Sequence, residues 1–509
     1  MTSWTSGYIT DISYTYGFYR ELTPALLSLV SLARGQRHPD VGAPLTYCEL
    51  GCGQGFSANL LAAANPHVEF YATDFNPAHI IGARALAAES GTPNVHFFDQ
   101  SFAEFLDEPG LPAFDIIALH GIYSWISPEN RRTIVEFIRR KLKAGGLVYV
   151  SYNSLPGWAA AAPLRHLMYL HGKAGGGPTA LRLDSALDFI SKMQNANAAY
   201  FRANPALKDR FDKLKTLNRN YVVHEYLNEN WTLLYHLDVV AEMDAAKLTY
   251  VGSAAFLEQI DAVYLTAEQQ QLVAEIADPV LRETVRDFMI NQQFRRDVFV
   301  KGVVALPPPE AQAKWGELRF VLSVKRDDVP LKMRVAMGEA DLQAEVYEPL
   351  LDALASGPRT VKQLVSDPKI AALGWPRLQQ ALLVLVGAGH LQPALDEKGE
   401  DKRATRAKAF NTAVMKRAQY SAELLFLASP VTGGGMGVDR FSQLFLLGQR
   451  QKQGDLVQFA WNVVNSQGQR LIKDGKTLES PEDNIAELRA RYETFEQKKQ
   501  PVLKQLAIA

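Results

Sequence analysis

The first 150 residues alternate short apolar runs with longer stretches of helical periodicity. Apolar runs that end in polar residues or glycine predict buried strands, and the stretches between them predict helices. Strands are predicted over residues 45–50, 69–74, 94–99, 114–120 and 147–152. Helices are predicted over residues 56–64 and 77–89, and from Ser127-Pro128 to about residue 144. This alternation is typical of βαβ units and of a parallel sheet.

The pattern changes after Pro156-Gly157, where residues 159–217 become rich in alanine and in helical periodicity. We interpret this segment as a helical insertion, because none of its apolar runs has the pattern of a strand. The elements predicted beyond it are a helix over 231–246 and strands over 247–254 and 295–301. The predicted fold class is α/β, with a Rossmann-like seven-strand sheet built from residues 1–158 and 218–303.

A different order of elements follows Pro307-Pro308-Pro309, which we interpret as a linker. Helices are predicted over 347–355, 361–365 and 376–387, and a strand over 390–392. Helices in this order with a terminal strand predict a winged-helix-like α+β domain over residues 304–400. Residues 401–509 are predicted to form a mainly helical C-terminal domain.

The composition excludes several classes of function. The 509 residues include 54 basic and 55 acidic residues, so the formal net charge is −1 and no nucleic-acid partner is expected. The predicted helix over 376–387 has Arg377 as its only cation. No apolar run approaches the roughly 20 residues of a membrane span, and the N-terminus lacks the pattern of a secretory signal. We therefore expect a cytoplasmic protein without membrane insertion.

The two cysteines, Cys48 and Cys52, lie at the end of the first predicted strand. We interpret them as reduced, buried side chains rather than as a disulfide. Histidines and carboxylates do not cluster near them in the sequence, so no metal site is predicted. The chemistry is therefore expected to need neither a bound metal nor a cysteine nucleophile.

The clearest local motif is the glycine-rich segment that follows the first predicted strand. Gly51, Gly53 and Gly55 alternate in it, and glycine allows positive φ and close approach of the backbone to a ligand. A dinucleotide fingerprint has the spacing G-x-G-x-x-G, whereas residue 56 is Phe. The spacing therefore favours S-adenosylmethionine over a dinucleotide. Glu49 is placed to orient the loop or to reach the ammonium group of this ligand through water.

Polar residues follow the other predicted strands at the same edge of the sheet. Asp74 ends the second strand, where a carboxylate accepts both ribose hydroxyls. Asp99, Gln100 and Ser101 follow the third strand, beside the predicted position of the adenine. His120 ends the fourth strand, where a backbone carbonyl meets the amino group of the ligand. Each residue alone is typical of a turn or a strand cap, but together they favour a nucleoside site.

Five segments of the chain resemble one family, namely residues 14–24, 49–55, 74–77, 119–125 and 149–158. They are similar to bacterial class I S-adenosylmethionine-dependent methyltransferases with a methyltransferase regulatory domain. The best-known members of this group are the rickettsial-type protein lysine methyltransferases that modify outer membrane protein. The resemblance covers about residues 8–303 and continues more weakly through the winged-helix-like part.

The resemblance implies methyl transfer from S-adenosylmethionine to lysine side chains of a protein substrate such as an outer membrane protein. The cofactor contacts that it implies are Glu49, Gly51, Gly53, Gly55, Asp74, Asp99, Gln100, Ser101 and His120. Tyr14 and Tyr19 lie in a segment that folds over the cofactor as a lid in related enzymes, although they are equally typical of aromatic anchors in a first helix. The insertion mediates dimerisation in that family, so the resemblance implies a homodimer through residues 159–217.

Methyl transfer is an in-line displacement, so the acceptor must be aligned, unprotonated and shielded from water. Burial among aromatic and carbonyl groups lowers the pKa of a lysine amine. We predict that Tyr152 and Asn153 meet the acceptor amine and that Trp125 shapes its channel. Trp125 and Trp158 are equally typical of packing residues that bracket their loops. His224-Glu225-Tyr226 is interpreted as structural.

Two alternative functions fit the same residues. One is methyl transfer to a small molecule, and the other is a non-catalytic regulatory protein with a retained cofactor site. The intact glycines and acidic strand ends disfavour the regulatory protein. The chain has roughly 200 residues beyond the predicted catalytic domain, which favours a macromolecular acceptor over a small molecule.

Overall fold

The predicted alternation of strands and helices forms a seven-stranded sheet. A computed structural model, which describes residues 4–5, 7–12, 14–335 and 338–509, gives its strands as β1 (Leu45–Leu50), β2 (Val68–Asp74), β3 (Val95–Asp99), β4 (Phe114–Leu119), β5 (Leu142–Asn153), β6 (Leu248–Ser253) and β7 (Phe294–Lys301). Their order across the sheet is β3-β2-β1-β4-β5-β7-β6. Strands β1 to β5 are parallel, and β7 is antiparallel to both β5 and β6. The predicted Rossmann-like sheet is confirmed.

Among the described residues, five α-helices precede or connect these first strands. They are α1 (Pro24–Ala33), α2 (Phe56–Ala64), α3 (Pro77–Ser90), α4 (Phe102–Leu106) and α5 (Pro128–Lys141). Side chains cap three of them, α3, α4 and α5. The hydroxyl of Ser127 accepts a hydrogen bond from the N–H of Asn130 at 3.2 Å and fixes the start of α5. The predicted end of this helix near residue 144 is corrected to Lys141, because Leu142 already pairs with Phe114 in the sheet.

The segment between β5 and β6 is helical, as predicted for residues 159–217. Its helices are α6 (Ala162–Ala174), α7 (Thr179–Asn195), α8 (Ala199–Ala203), α9 (Ala206–Leu214) and α10 (Arg219–Leu227). They share a core of their own, in which Met168, Leu183 and Phe211 are buried. Trp158, just after β5, belongs to this core and anchors the helices to the sheet.

The predicted helix over residues 231–246 is wrong in its first part. The helix found there is α11 (His236–Asp244), and residues 231–235 are not helical. Leu234 instead forms a parallel bridge with Ser154, and its N–H donates to the carbonyl of Asn153 at 3.2 Å. Trp231 packs against Trp158 at 5.2 Å between ring centroids, so the apolar residues here follow tertiary packing and not a helical period. Three further helices precede β7, namely α12 (Asp261–Tyr264), α13 (Ala267–Ala274) and α14 (Pro279–Ile290).

The predicted proline linker is the start of a helix. Pro308 and Pro309 open α15 (Pro308–Glu317), since proline is favourable at the first helical positions. The elements after it are β8 (Arg319–Leu322), β9 (Lys332–Val335), β10 (Gly338–Asp341), α16 (Ala344–Leu354), β11 (Arg359–Thr360), α17 (Val361–Leu364), α18 (Pro368–Ala371), α19 (Trp375–Gly387) and β12 (Leu391–Ala394). Strands β11, β8 and β12 form a small sheet beside the three predicted helices. The winged-helix assignment stays a prediction.

The last part of the chain is mainly helical. Its elements are α20 (Glu400–Arg417), β13 (Phe426–Ser429), β14 (Gly434–Gly437), α21 (Arg440–Arg450), α22 (Leu456–Ser466), β15 (Ile472–Lys473), β16 (Lys476–Thr477), α23 (Pro481–Thr494) and α24 (Gln500–Gln505). A π-helical turn over Phe495–Lys499 joins the last two helices. In the part of the chain that the structure describes, no helix is both long and apolar enough to cross a membrane.

The C-terminal half packs directly on the seven-stranded domain. Helix α20 lies against α2 and α3, and one hydrophobic core runs from the sheet into residues beyond 400. The amide of Asn65 donates to the carbonyl of Gly433 at 2.6 Å. The guanidinium of Arg20 donates to the carbonyls of Val386 and Gly387, at 2.6 and 2.8 Å, at the end of α19. These contacts hold the two halves of the chain together around one edge of the sheet.

Candidate active site

A cavity of about 620 Å³ lies at the carboxyl ends of the parallel strands. Ligands of open α/β sheets bind at this edge, so the cavity occupies the expected place. Its wall is formed by the loops after the strands, by helix α10 and by residues 14–19, here called the covering segment. The covering segment is tied to the glycine-rich loop, because Gln54 and Ser57 donate to the carbonyls of Tyr14 and Gly17 at 3.3 and 3.0 Å.

The three alternating glycines have different structural roles. Gly51, Gly53 and Gly55 all have positive φ, at 71°, 54° and 63°. Gly51 and Gly53 line the cavity, and a Cβ on Gly53 would have open space around it. Gly55 does not line the cavity, because it is the N-cap of α2 and packs against α3 and β3. A Cβ on Gly55 would lie 2.5 Å from the Cβ of Ala83 and 2.7 Å from the ring of Phe97.

Replacing Gly55 by alanine is expected to lower the free energy of unfolding by about 2–4 kcal/mol. The variant has the strain of positive φ and a steric clash that its neighbours can relieve only by moving. Gly53→Ala is the matched control, since it has the same strain without the clash and should lose only about 1–2 kcal/mol. Urea denaturation of both variants measures the difference. Equal losses would contradict the packing role of Gly55.

Two carboxylates occupy the first wall of the cavity. Asp74 accepts hydrogen bonds from the N–H of Gly53 at 2.9 Å and of Asn76 at 3.0 Å, so it joins the loops after β1 and β2. Glu49 is almost fully buried, and burial together with the charge of Asp74 raises its pKa to about 8. Within the described residues, Oε2 of Glu49 has no hydrogen-bond partner. A buried carboxylate oxygen of this kind favours a cationic donor from a ligand.

Of the three residues predicted at the end of β3, Gln100 and Ser101 line the cavity and Asp99 does not. Gln100 lines it, and Oε1 of Gln100 has no hydrogen-bond partner in the described part of the chain. Ser101 also lines it, but the hydroxyl and N–H of Ser101 both donate to Glu104 at 2.8 Å and cap α4. Asp99 is exposed and does not line the cavity. The side chain of Asp99 is therefore not placed beside the predicted adenine position.

His120, directly after β4, lines the cavity together with the covering segment. Its ring stacks on Tyr19 with 3.6 Å between ring centroids, and its Nδ1 lies 2.9 Å from the hydroxyl of Tyr149. Burial and the positive charge of Arg296 lower the pKa of His120 to about 3, so the imidazole is neutral at neutral pH. Tyr14 and Tyr19 line the cavity and do not lie in a helix, and their role as a lid stays a prediction.

The predicted acceptor residues separate into two groups. Trp125 and Asn153 line the cavity, and the N–H of Asn153 donates to the hydroxyl of Ser124 at 2.8 Å. The prediction for Tyr152 is corrected, because its side chain is fully buried and its hydroxyl donates to Asp297 at 2.7 Å. Neighbouring side chains on a strand point to opposite faces, so Asn153 at the cavity places Tyr152 away from it.

Helix α10 supplies cavity residues that were not predicted from the sequence. Tyr221, His224 and Glu225 line the cavity, although His224 and Glu225 were interpreted as structural, and Nε2 of His224 lies 2.9 Å from the carbonyl of Ile12. Burial raises the pKa of Glu225 to about 7, although the charges of Arg165 and Arg210 act against it. Tyr221 and Glu225 are four residues apart, which places them on one helix face. This spacing is the one sequence feature that would have indicated the pair.

The cavity thus has two chemically different halves. The half beside β1, β2 and β3 has backbone groups, carboxylates and an amide suited to a nucleoside with a cationic amino-acid tail. The half beside β5 and α10 has aromatic rings and one carboxylate, and the guanidinium of Arg210 lies 3.8 Å from the ring centroid of Trp158. Aromatic faces and carboxylates attract cations, so this half suits a cationic or amine group.

The chain is similar to known proteins over different parts of its length. Two family models match the chain, a methyltransferase domain over residues 48–148 and a predicted methyltransferase regulatory domain over residues 218–301. The chain is 46% identical over 507 residues to the uncharacterized protein sll1526 of Synechocystis sp., which covers 100% of both chains. It is 26% identical over 294 residues to the uncharacterized protein RP789 of Rickettsia prowazekii, covering 56% of this chain and 51% of that protein.

The fold is also found in PKMT2 from Rickettsia typhi, whose structure was solved in complex with AdoHcy. The TM-score is 0.68 and the sequence identity 19%, with 95% of this chain and 98% of that chain covered. This likeness shows a shared fold over nearly the whole chain. The full-length relative and the two family models show the family. The chain belongs to the class I S-adenosylmethionine-dependent methyltransferases that have a methyltransferase regulatory domain.

Proposed function

We propose that the chain transfers a methyl group from S-adenosylmethionine to lysine side chains of a protein substrate. The bound cofactor supplies an electrophilic methyl carbon. The residues proposed to hold it line the first half of the cavity and the covering segment, namely Glu49, Gly51, Gly53, Asp74, Gln100, Ser101, His120, Tyr14 and Tyr19. The unpartnered oxygens of Glu49 and Gln100 support this fit, because each accepts a hydrogen bond that an ammonium or amino group can donate.

The observation on which the lysine substrate rests is the chemistry of the second half of the cavity. Trp125, Asn153, Trp158, Tyr221 and Glu225 line this half. An incoming ammonium group meets aromatic faces, an amide and a carboxylate there. The guanidinium of Arg210 already lies over one of these faces, that of Trp158.

A protein acceptor is supported by the rest of the chain. The fold matches that of PKMT2 from Rickettsia typhi over nearly its full length, including the part beyond the seven-stranded domain. A small acceptor needs no such additional surface. Residues 159–217 also expose large apolar side chains, Leu170, Leu181, Phe189 and Leu217, which supports the proposal of a homodimer through this insertion.

Incubating the purified protein with bacterial lysate and methyl-labelled S-adenosylmethionine tests this proposal. The label is expected in protein, and hydrolysis of that protein is expected to release methyl-lysine. Label found only in the small-molecule fraction would favour the alternative small-molecule methyltransferase. Binding of AdoHcy without any methyl transfer would favour a regulatory protein with a retained cofactor site.

A further inference from the structure

Glu225 lines the cavity, but it is not among the residues that we propose hold the cofactor. It lies on α10. Burial raises the pKa of the hydroxyls of Tyr14, Tyr19 and Tyr221, and the charge of Glu225 adds to this rise. Tyr14 meets the adjacent His224 edge-on at 5.1 Å between ring centroids. Tyr19 lies on His120 at the end of β4. Glu225 and the covering segment therefore meet where the two halves of the cavity join.

We propose that Glu225 binds the ammonium group of the methyl acceptor and accepts its proton, with the rings of Tyr14, Tyr19 and Tyr221 around it. This inference rests on the proposed function and names the residue that recognises the amine. A carboxylate surrounded by aromatic rings attracts a cation from several directions. Glu225 is partly buried in the cavity wall, and an attraction between charges is stronger there than in bulk water.

The cofactor has an ammonium group of its own, so two cationic groups compete for carboxylates in the cavity. Glu49 ends β1 beside the glycine-rich loop and has an unpartnered buried oxygen. Glu225 lines the cavity from α10. We assign the ammonium group of the cofactor to Glu49 because Glu49 lies directly before the glycine-rich loop and has an unpartnered buried oxygen, which leaves Glu225 for the acceptor.

The proposed step transfers one proton and one methyl group. The N–H bond of the acceptor ammonium breaks and an O–H bond forms on Glu225, which leaves a lone pair on the acceptor nitrogen. A bond forms between this nitrogen and the methyl carbon as the bond from that carbon to sulfur breaks, and its electron pair goes to sulfur. The positive charge moves from the sulfonium to the methylated nitrogen. Glu225 then releases its proton to solvent.

The surroundings of Glu225 set the pH at which it accepts a proton. The charged and titratable groups that act on it come from α6, α9, α10 and the N-terminal residues, namely Arg165, Arg210, Tyr221, Tyr226, Tyr8, Tyr14 and Tyr19. Burial is the largest influence and raises the pKa of Glu225 to about 7. The carboxylate is the active form, so kcat/KM is expected to rise with pH through about 7.

The decisive experiment compares the Glu225→Gln variant with wild type in three measurements. The Kd for AdoHcy is expected to stay within about twofold, which also shows that the variant is folded. The AdoHcy complex of the variant is expected to bind Nα-acetyl-lysine methylamide about tenfold or more weakly, because a hydrogen bond between charged groups is lost. The neutral norleucine analogue of this probe should bind both proteins equally. The rise of kcat/KM near pH 7 should be absent from the variant.

Glu229→Gln is the matched control, because Glu229 has the same charge, lies just beyond α10, and is exposed outside the cavity. It should behave as wild type in all three measurements. Equal binding of the lysine probe by wild type and Glu225→Gln would overturn the inference. So would a loss of AdoHcy affinity of about tenfold or more in Glu225→Gln, since Glu225 would then bind the cofactor. Probe binding that depends on Glu225, without methyl-lysine in any protein, would contradict the proposed function alone.

Discussion

Replacing Asp74 by asparagine is expected to weaken the binding of AdoHcy by about 100-fold or more. Two ribose hydroxyls would each lose a charged acceptor, and hydrogen bonds to charged groups contribute about 1.5–3 kcal/mol each. The carboxylate also accepts the N–H groups of Gly53 and Asn76, whereas the amide has one oxygen for both. The glycine-rich loop therefore loses part of its support as well. Titration calorimetry with AdoHcy measures this loss.

Asp99→Asn is the matched control for this experiment. Asp99 ends the neighbouring strand and is the register partner of Asp74, but it is exposed and outside the cavity. The Kd for AdoHcy should therefore be unchanged in this variant. An Asp74→Asn variant that binds AdoHcy as tightly as wild type would remove Asp74 from the ribose site. A large loss of AdoHcy affinity in Asp99→Asn would instead support the predicted position of Asp99 beside the adenine.

The second large effect is expected in stability, at Arg295. Its guanidinium donates to Asp297 at 3.0 Å and to Asp287 at 2.5 Å, and all three side chains are buried. Arg295→Met leaves Asp287 buried without its guanidinium partner, and Asp297 keeps only its contacts with His236 and Tyr152 among those described here, which costs about 3–5 kcal/mol in the free energy of unfolding. Arg296→Met is the control, since Arg296 points to the other face and is partly exposed, and its loss should stay below about 1 kcal/mol.

The pH dependence of these stabilities gives an independent check. Burial alone would raise the pKa of Asp297, but Arg295 and His236 outweigh it and lower that pKa to about 2. In wild type the stabilisation from this carboxylate is present above pH 3.8 and is lost as the pH falls towards 2. In Arg295→Met the guanidinium no longer opposes burial at Asp297 or at Asp287, whose pKa burial already raises to about 7 in wild type, so both pKa values are expected to rise. A folded-state pKa above the unfolded value of 3.8 makes stability decrease with increasing pH. Urea denaturation should therefore show a larger deficit at pH 7 than at pH 5. A deficit independent of pH would contradict this account.

The sheet and its glycine-rich loop could be predicted because their determinants are local. The bounds of β1 and α2 agree with the predicted residues 45–50 and 56–64, since apolar runs and glycines mark both ends. Asp74 and His120 were found at strand ends for the same reason. The proline linker failed because proline is favourable both in linkers and at the start of a helix, and the sequence alone does not distinguish these cases.

The half of the cavity beside β5 and α10 could not be predicted in the same way, because it depends on contacts between distant parts of the chain. Tyr152 and Asn153 differ only in which face of β5 they occupy, and the sheet register decides this. Glu225 reaches the cavity only because α10 packs beside the N-terminal residues, more than 200 positions earlier, as the contact between His224 and Ile12 shows. No local pattern around Glu225 specifies that neighbour.

Arg20 directly follows the covering segment, and its guanidinium is fastened to the last carbonyls of α19. A cation at this position is also favoured by the partial negative charge of a helix C-terminus. If the covering segment and Arg20 move to let cofactor exchange, the hydrogen bonds between Arg20 and α19 are affected. They either break, or α19 moves together with the covering segment. A shift of α19 would therefore be transmitted through these two hydrogen bonds to the residue that follows the covering segment.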